Sequence, residues 1–131
     1  MSVSAYKRVQ RDHESPRSVE RRIFSRITAD LETWGQAYDR AEDGLERLTA
    51  LKGSLQLALS ENMRLWALLR RDLSAPENAL PTELKASIIS ISLTVDRLTS
   101  EILRGHGQVA DLVGINRPFI DGLAGISGAE G

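Results

Sequence analysis

Between residues 65 and 91 the chain reads LWALLRRDLSAPENALPTELKASIISI, an apolar helical pattern that halts at a short loop set between two prolines and then resumes. Few features restrict a fold so strongly. Proline locks its own φ, lacks an N–H and pushes the residue before it out of helical geometry, so Ala75 and Leu80 are expected to be extended. Asn78, between Pro76 and Pro81, can turn the chain by bonding its side chain to nearby backbone. The spacing predicts two helices joined by a defined corner and packed antiparallel.

At 131 residues the chain suits one domain with one core. The six aromatic residues leave that core to Leu and Ile, and no run alternates apolar and polar residues with the β-branched enrichment of a half-buried strand. The fold class expected is all-α: a small helical bundle with a long central helix, an antiparallel hairpin and a short C-terminal helix. It should occupy residues 15–124, between a flexible arm over 1–14 and a flexible tail over 125–131. With no cysteine, disulfides, thiolate nucleophiles and Cys-type zinc sites are excluded. No signal-peptide core and no run of some eighteen apolar residues occurs, which predicts a cytoplasmic protein without membrane insertion.

The first helix should begin at Ser15, whose hydroxyl can cap it, with Pro16 at its first position. Val19, Ile23, Ile27, Leu31 and Trp34 recur at steps of three and four, and fraying is expected near Gly35, although Tyr38 continues the stripe. The second helix is expected from about Asp43 to Leu73. Leu48, Leu51, Leu55, Leu59, Met63, Trp66 and Leu73 mark its stripe, which Leu57, Leu65, Leu68 and Leu69 widen. Gly53 falls inside this helix at a cost of about 1 kcal/mol relative to alanine. The third helix, about Pro81 to Leu103, carries Leu84, Ile88, Ile91, Val95, Leu98 and Ile102 as a heptad-like seam. Gly105-His106-Gly107 then breaks the pattern, and Asn116 is expected to cap a short helix with Pro118 in its first turn and Phe119, Ile120 and Leu123 packing back.

Catalytic machinery is not visible. His13 and His106 lack spaced partners, and no zinc-protease motif, phosphate loop, nucleophile elbow or dinucleotide fingerprint is present, so the expectation is a non-enzyme without cofactor or metal. Asp39, Glu42, Asp43 and Glu46 cluster where a helix should start and are read as complements to its dipole. Trp66 is expected to anchor the core beneath the corner, the rival reading being a partner-contacting hot spot. The loop from Pro76 to Pro81 is either locked by its own hydrogen bonds or presented to a partner.

Charge is unevenly placed. Residues 1–27 hold seven Lys or Arg against three acids, leaving +4 there and −5 over the rest. A solvated arm and helix face is the plainer reading; an electrostatic footprint for RNA is the alternative, weakened by the absence of interleaved aromatic residues.

The motifs resemble those of the FlaF family of flagellar biosynthesis regulators. The central block carries Leu65, Trp66, Leu69, Asp72, Leu73, Pro76, Glu77, Asn78, Leu80, Pro81, Glu83, Leu84, Ile89, Ser90 and Ile91 where that family has such residues. Ser15-Pro16-Arg17 with Glu20-Arg21 is similar to its opening helix, and Ile115-Asn116-Arg117 with Ile120-Asp121-Gly122-Leu123 to its closing segment. Residues 35–55 and 104–112 depart most from the pattern. The resemblance implies a small cytoplasmic, non-enzymatic factor for flagellin production and flagellum assembly, with flagellin as partner and the regulator FlbT as a companion. It points to a flagellin-binding chaperone, with post-transcriptional regulation through RNA or a structural adaptor to FlbT as alternatives. The residues expected at the partner-binding surface are Trp66, Leu69, Leu73, Glu77, Asn78, Leu80, Asn116 and Ile120.

Overall fold

A computed structural model describes residues 16–130, with side chains described over 20–123. Five helices follow in order: α1 Pro16–Arg40, α2 Gly44–Ala50, α3 Ser54–Ser74, α4 Thr82–Leu103 and α5 Val109–Glu130. The all-α expectation holds among the described residues. The expected arm over 1–14 and the cap at Ser15 lie outside them.

α1 is the hub. It packs along α5 most extensively, then along α3, and its C-terminal part meets α2, while α4 packs on α3 and more lightly on α5. The α1 face that turns inward is Phe24, Ile27, Thr28, Leu31, Gly35 and Tyr38, a stripe rotated slightly from the expected one. Ile23 and Trp34 are consequently exposed, Trp34 by half. The helix does not fray at Gly35 but runs on to Arg40. A Cβ at Gly35 would stand 2.6 Å from Val109 Cγ1, so the missing side chain is what lets α1 and α5 approach so closely.

The expected long second helix is in fact two. Gly53 has φ of +84°, a conformation that side chains other than glycine's rarely adopt, and the chain changes direction there. Leu51 is buried on one side of the break and Leu55 on the other, so the apolar pattern crosses it without interruption. α2 opens as the sequence implied: Asp43 accepts from Glu46 N at 2.8 Å, and Glu46 Oε2 accepts from Glu42 N at 3.1 Å, close to a reciprocal capping box.

α3 and α4 form the hairpin. Buried Leu55, Leu59, Asn62, Trp66, Leu69 and Leu73 follow steps of four and three along α3; Ile88, Val95 and Ile102 face them from α4. Leu57 and Leu68, which widen the stripe in the sequence, point outward and are more than half exposed. α4 ends in a Schellman motif: Gly105 N donates to Ile102 O at 2.9 Å and His106 N to Glu101 O at 2.8 Å, with Gly105 at φ +88°.

The closing helix is longer than expected. α5 begins at Val109 and its backbone reaches Glu130, past the end expected near residue 124. Asn116 therefore caps nothing; it lies fully buried inside the helix. Pro118 is also interior, where it leaves the Gly114 carbonyl without its usual helical donor.

A candidate binding groove beside a polar core

The hairpin corner is built from local bonds. Ala75 is extended (φ −70°, ψ 137°), as the following proline demands. Asn78 Oδ1 accepts from Leu80 N at 3.1 Å, its amide donates to Asp72 Oδ2 at 3.3 Å, and Lys85 Nζ donates to its backbone carbonyl at 2.5 Å. The loop is thus locked by its own side chains, and Leu80 is held half-buried against the core.

Beside this corner lies an apolar groove of about 280 Å³ between α3, α4 and α5. Leu69 and Leu73 form its base, Leu80, Leu84 and Ile91 one wall, and Phe119 the other. Leu84 and Ile91 are both more than a third exposed, so the groove opens to solvent. Behind Phe119 its ring centroid lies 4.8 Å from Trp66 and 5.2 Å from Phe24, and those two are 5.2 Å apart near edge-to-face. Three helices thereby contribute one aromatic cluster that backs the groove wall.

Next to the aromatic cluster sits a polar one. Trp66 Nε1 donates to Asn116 Oδ1 at 3.0 Å, and Asn116 Nδ2 donates to Asn62 Oδ1 at 2.8 Å and Thr28 Oγ1 at 3.0 Å. All four residues are fully buried. Burying polar groups is costly unless they bond one another, so this set fixes the register of α1, α3 and α5, since sliding any helix by one residue would strand several donors. Within this set of four, the Asn62 amide nitrogen alone lacks a partner.

The expected partner-binding residues therefore divide. Leu69, Leu73 and Leu80 come together in the groove. Trp66, Asn116 and Ile120 are core residues, which places Trp66 in the anchoring role. Glu77 is exposed at the corner and Asn78 is half-buried there. Sequence reasoning missed Phe24, Thr28 and Asn62. Asn62 did carry a signal, because steps of four and three from Leu55 and Leu59 to Trp66, Leu69 and Leu73 pass through position 62 as readily as through Met63.

The opposite end of the bundle is closed by hydrogen bonds, with clefts on its flanks beside Asp39 and Ala110 and beside Ala37 and Leu45. Tyr38 Oη donates to Ile102 O at 2.8 Å, with His106 O at 3.3 Å as a second acceptor. Burial pushes the Tyr38 phenol up, against the pull of Arg47 and with a further rise from Asp39. Arg47 stands over the Tyr38 ring at 5.8 Å and donates to Gly105 O at 3.0 Å. Asp39 belongs to this end rather than to the start of α2: it accepts from Val109 N at 2.7 Å and Ala110 N at 2.9 Å, capping α5 from a distant part of the chain.

These features define an all-helical protein with no group of His, Cys, Asp and Glu suited to a metal among the described residues, and no described helix long and apolar enough to cross a membrane. A model of the FlaF family, described as flagellar protein FlaF, matches residues 2–123. The chain belongs to this family and is a flagellar protein. Comparison with curated proteins and with solved structures gave no match.

Proposed function

We propose that this chain is a cytoplasmic, non-enzymatic flagellin-binding chaperone or assembly factor that promotes flagellin production and export, and that an amphipathic helix of flagellin lies in the α3–α4–α5 groove. One observation supports the reading: a groove walled by Leu80, Leu84, Ile91 and Phe119, lined almost wholly by apolar side chains, opens to solvent beside the hairpin corner. Helix-in-groove recognition needs an apolar trough wide enough for side chains at i, i+3 or i+4 and i+7. Flagellin terminal helices, which must be kept from polymerising before export, offer such a face. Association with FlbT belongs to the same proposal, and a pull-down from flagellated cells probed for both partners addresses it.

The test of groove binding is titration calorimetry with purified flagellin at several temperatures. A complex with a negative heat-capacity change is expected, because apolar surface is buried. Absence of a complex with any flagellin of the source cell would contradict the proposal. Regulation through RNA draws on the basic residues of 1–27, and one of these, Arg26, is engaged by Glu61 at 2.6 Å and Asp30 at 3.2 Å.

A further inference from the structure

Four large apolar side chains stay uncovered on the side of the bundle formed by α1 and α3: Ile23 is 38% exposed, Trp34 50%, Leu57 62% and Leu68 54%. By helical register Ile23 and Trp34 fall on the flank of α1 that turns toward α3, and Leu57 and Leu68 on the outer side of α3 that leans toward α1. The two helices run antiparallel, since Phe24 packs on Trp66 while Thr28 and Asn62 share Asn116. Ile23 therefore stands level with Leu68 toward one end of this face, and Trp34 level with Leu57 about three turns away.

Between these apolar ends lies a charged centre. Arg26 bonds Glu61 of α3 at 2.6 Å and Asp30 at 3.2 Å, and exposed Arg64, one turn on from Glu61, brings the formal charge of the four groups to zero. Apolar surface gathered on one face marks an interaction site, whereas single exposed leucines do not. The face is remote from the groove: α1 and α4 each pack on both α3 and α5, so the α1–α3 side lies across the bundle from the opening between α4 and α5.

We propose that the α1–α3 face receives a second copy of this chain. A homodimer closed by a twofold axis uses the same patch on both subunits, so the patch must complement itself, and this one does so about either axis lying in its plane. With the axis parallel to the helices, Trp34 meets the partner's Leu57, Ile23 meets the partner's Leu68, and Arg26 meets the partner's Glu61. With the axis across the helices, Ile23 meets the partner's Trp34, Leu57 meets the partner's Leu68, and Arg26 meets the partner's Asp30. Apolar ends cover apolar ends in both cases, and each Arg26 finds a carboxylate. Helices of this length extend about 30 Å and, about 10 Å apart, outline roughly 600 Å², which with side-chain relief approaches the roughly 800 Å² per subunit of a standard interface. Such a dimer leaves both grooves facing outward, so it stands independently of the groove reading.

Sedimentation equilibrium of the full chain over about a hundredfold range of concentration tests this. The average mass should climb from the 14.5 kDa of one chain toward twice that value. Trp34→Glu and Leu57→Glu each place a carboxylate in an apolar end of the interface and should raise the dissociation constant at least about tenfold. Their melts by circular dichroism, taken where the wild type is monomeric, should stay close to wild type, because both side chains are exposed in the monomer. Ser87→Trp, which places a large ring in the groove across the bundle, should dimerise as the wild type does. A chain that stays monomeric throughout overturns the inference, as does a dimer that both Trp34→Glu and Leu57→Glu leave intact or that Ser87→Trp disrupts.

Discussion

The two ends of this bundle solve opposite problems with opposite chemistry. At the end formed by Tyr38, Asp39, Arg47, Gly105 and Val109, four helices are tied by hydrogen bonds that join residues far apart in sequence. At the hairpin end, bonds are local to the corner, and α3, α4 and α5 leave leucine, isoleucine and phenylalanine facing an open trough. The contrast teaches where stability and recognition reside: the closed end holds the topology, which allows the open end to keep apolar surface unburied at its own cost. Between them the Thr28–Asn62–Trp66–Asn116 network sets the register that both ends depend on.

The hardest way to break this arrangement is at its middle. Trp66→Ala should destabilise the protein by about 3–5 kcal/mol, because it removes a fully buried ring and leaves Asn116 Oδ1 without its donor. Urea melts measure this directly. A midpoint close to wild type would mean that the ring is not the anchor of the core.

Asp39→Ala probes the closed end. Losing the two bonds to Val109 N and Ala110 N should cost about 1–2 kcal/mol, the usual range for a cap aided by the helix dipole. Amide hydrogen exchange should then rise first in the opening turn of α5. Uniform loss of protection throughout the bundle would show instead that the closed end does not act as a separate staple.

A smaller effect is expected at the corner. Asn78→Ala keeps the carbonyl that accepts from Lys85 but loses the bonds to Leu80 N and Asp72, for a cost of about 0.5–1.5 kcal/mol. Chemical denaturation together with a partner-binding assay reads both consequences. Wild-type values in both would reduce the loop to a spacer.

The same two ends differ in how much of them the sequence discloses. The corner was legible because proline and asparagine act on their immediate neighbours, so Ala75 and the Asn78 turn needed no tertiary information. The closed end was not. Asp39 looks like a helix-start charge of α2 until the fold brings Val109 to it, and Gly35 looks like a fraying point until α5 packs against it. The break at Gly53 stayed hidden because Leu48, Leu51, Leu55 and Leu59 keep the helical period across it. The length of α5 is hidden because Asn116 and Pro118 read locally as a helix start, whereas packing on α1 carries the helix through them from Val109. In the groove, Leu69, Leu73 and Leu80 could be named from sequence, whereas the wall from Phe119 and the inward turn of Asn116 depend on where α5 begins.

The division of labour between the ends is tested most directly by titrating purified flagellin into two variants side by side in a calorimeter. Ser87→Trp fills the groove from an exposed position, so its stability should stay within about 0.5 kcal/mol of wild type while affinity falls by at least about tenfold, or about 1.4 kcal/mol. Asp39→Ala, measured well below its melting temperature, should show the reverse: reduced stability and wild-type affinity. Wild-type affinity in Ser87→Trp, or a loss confined to Asp39→Ala, would contradict the assignment of recognition to the open end.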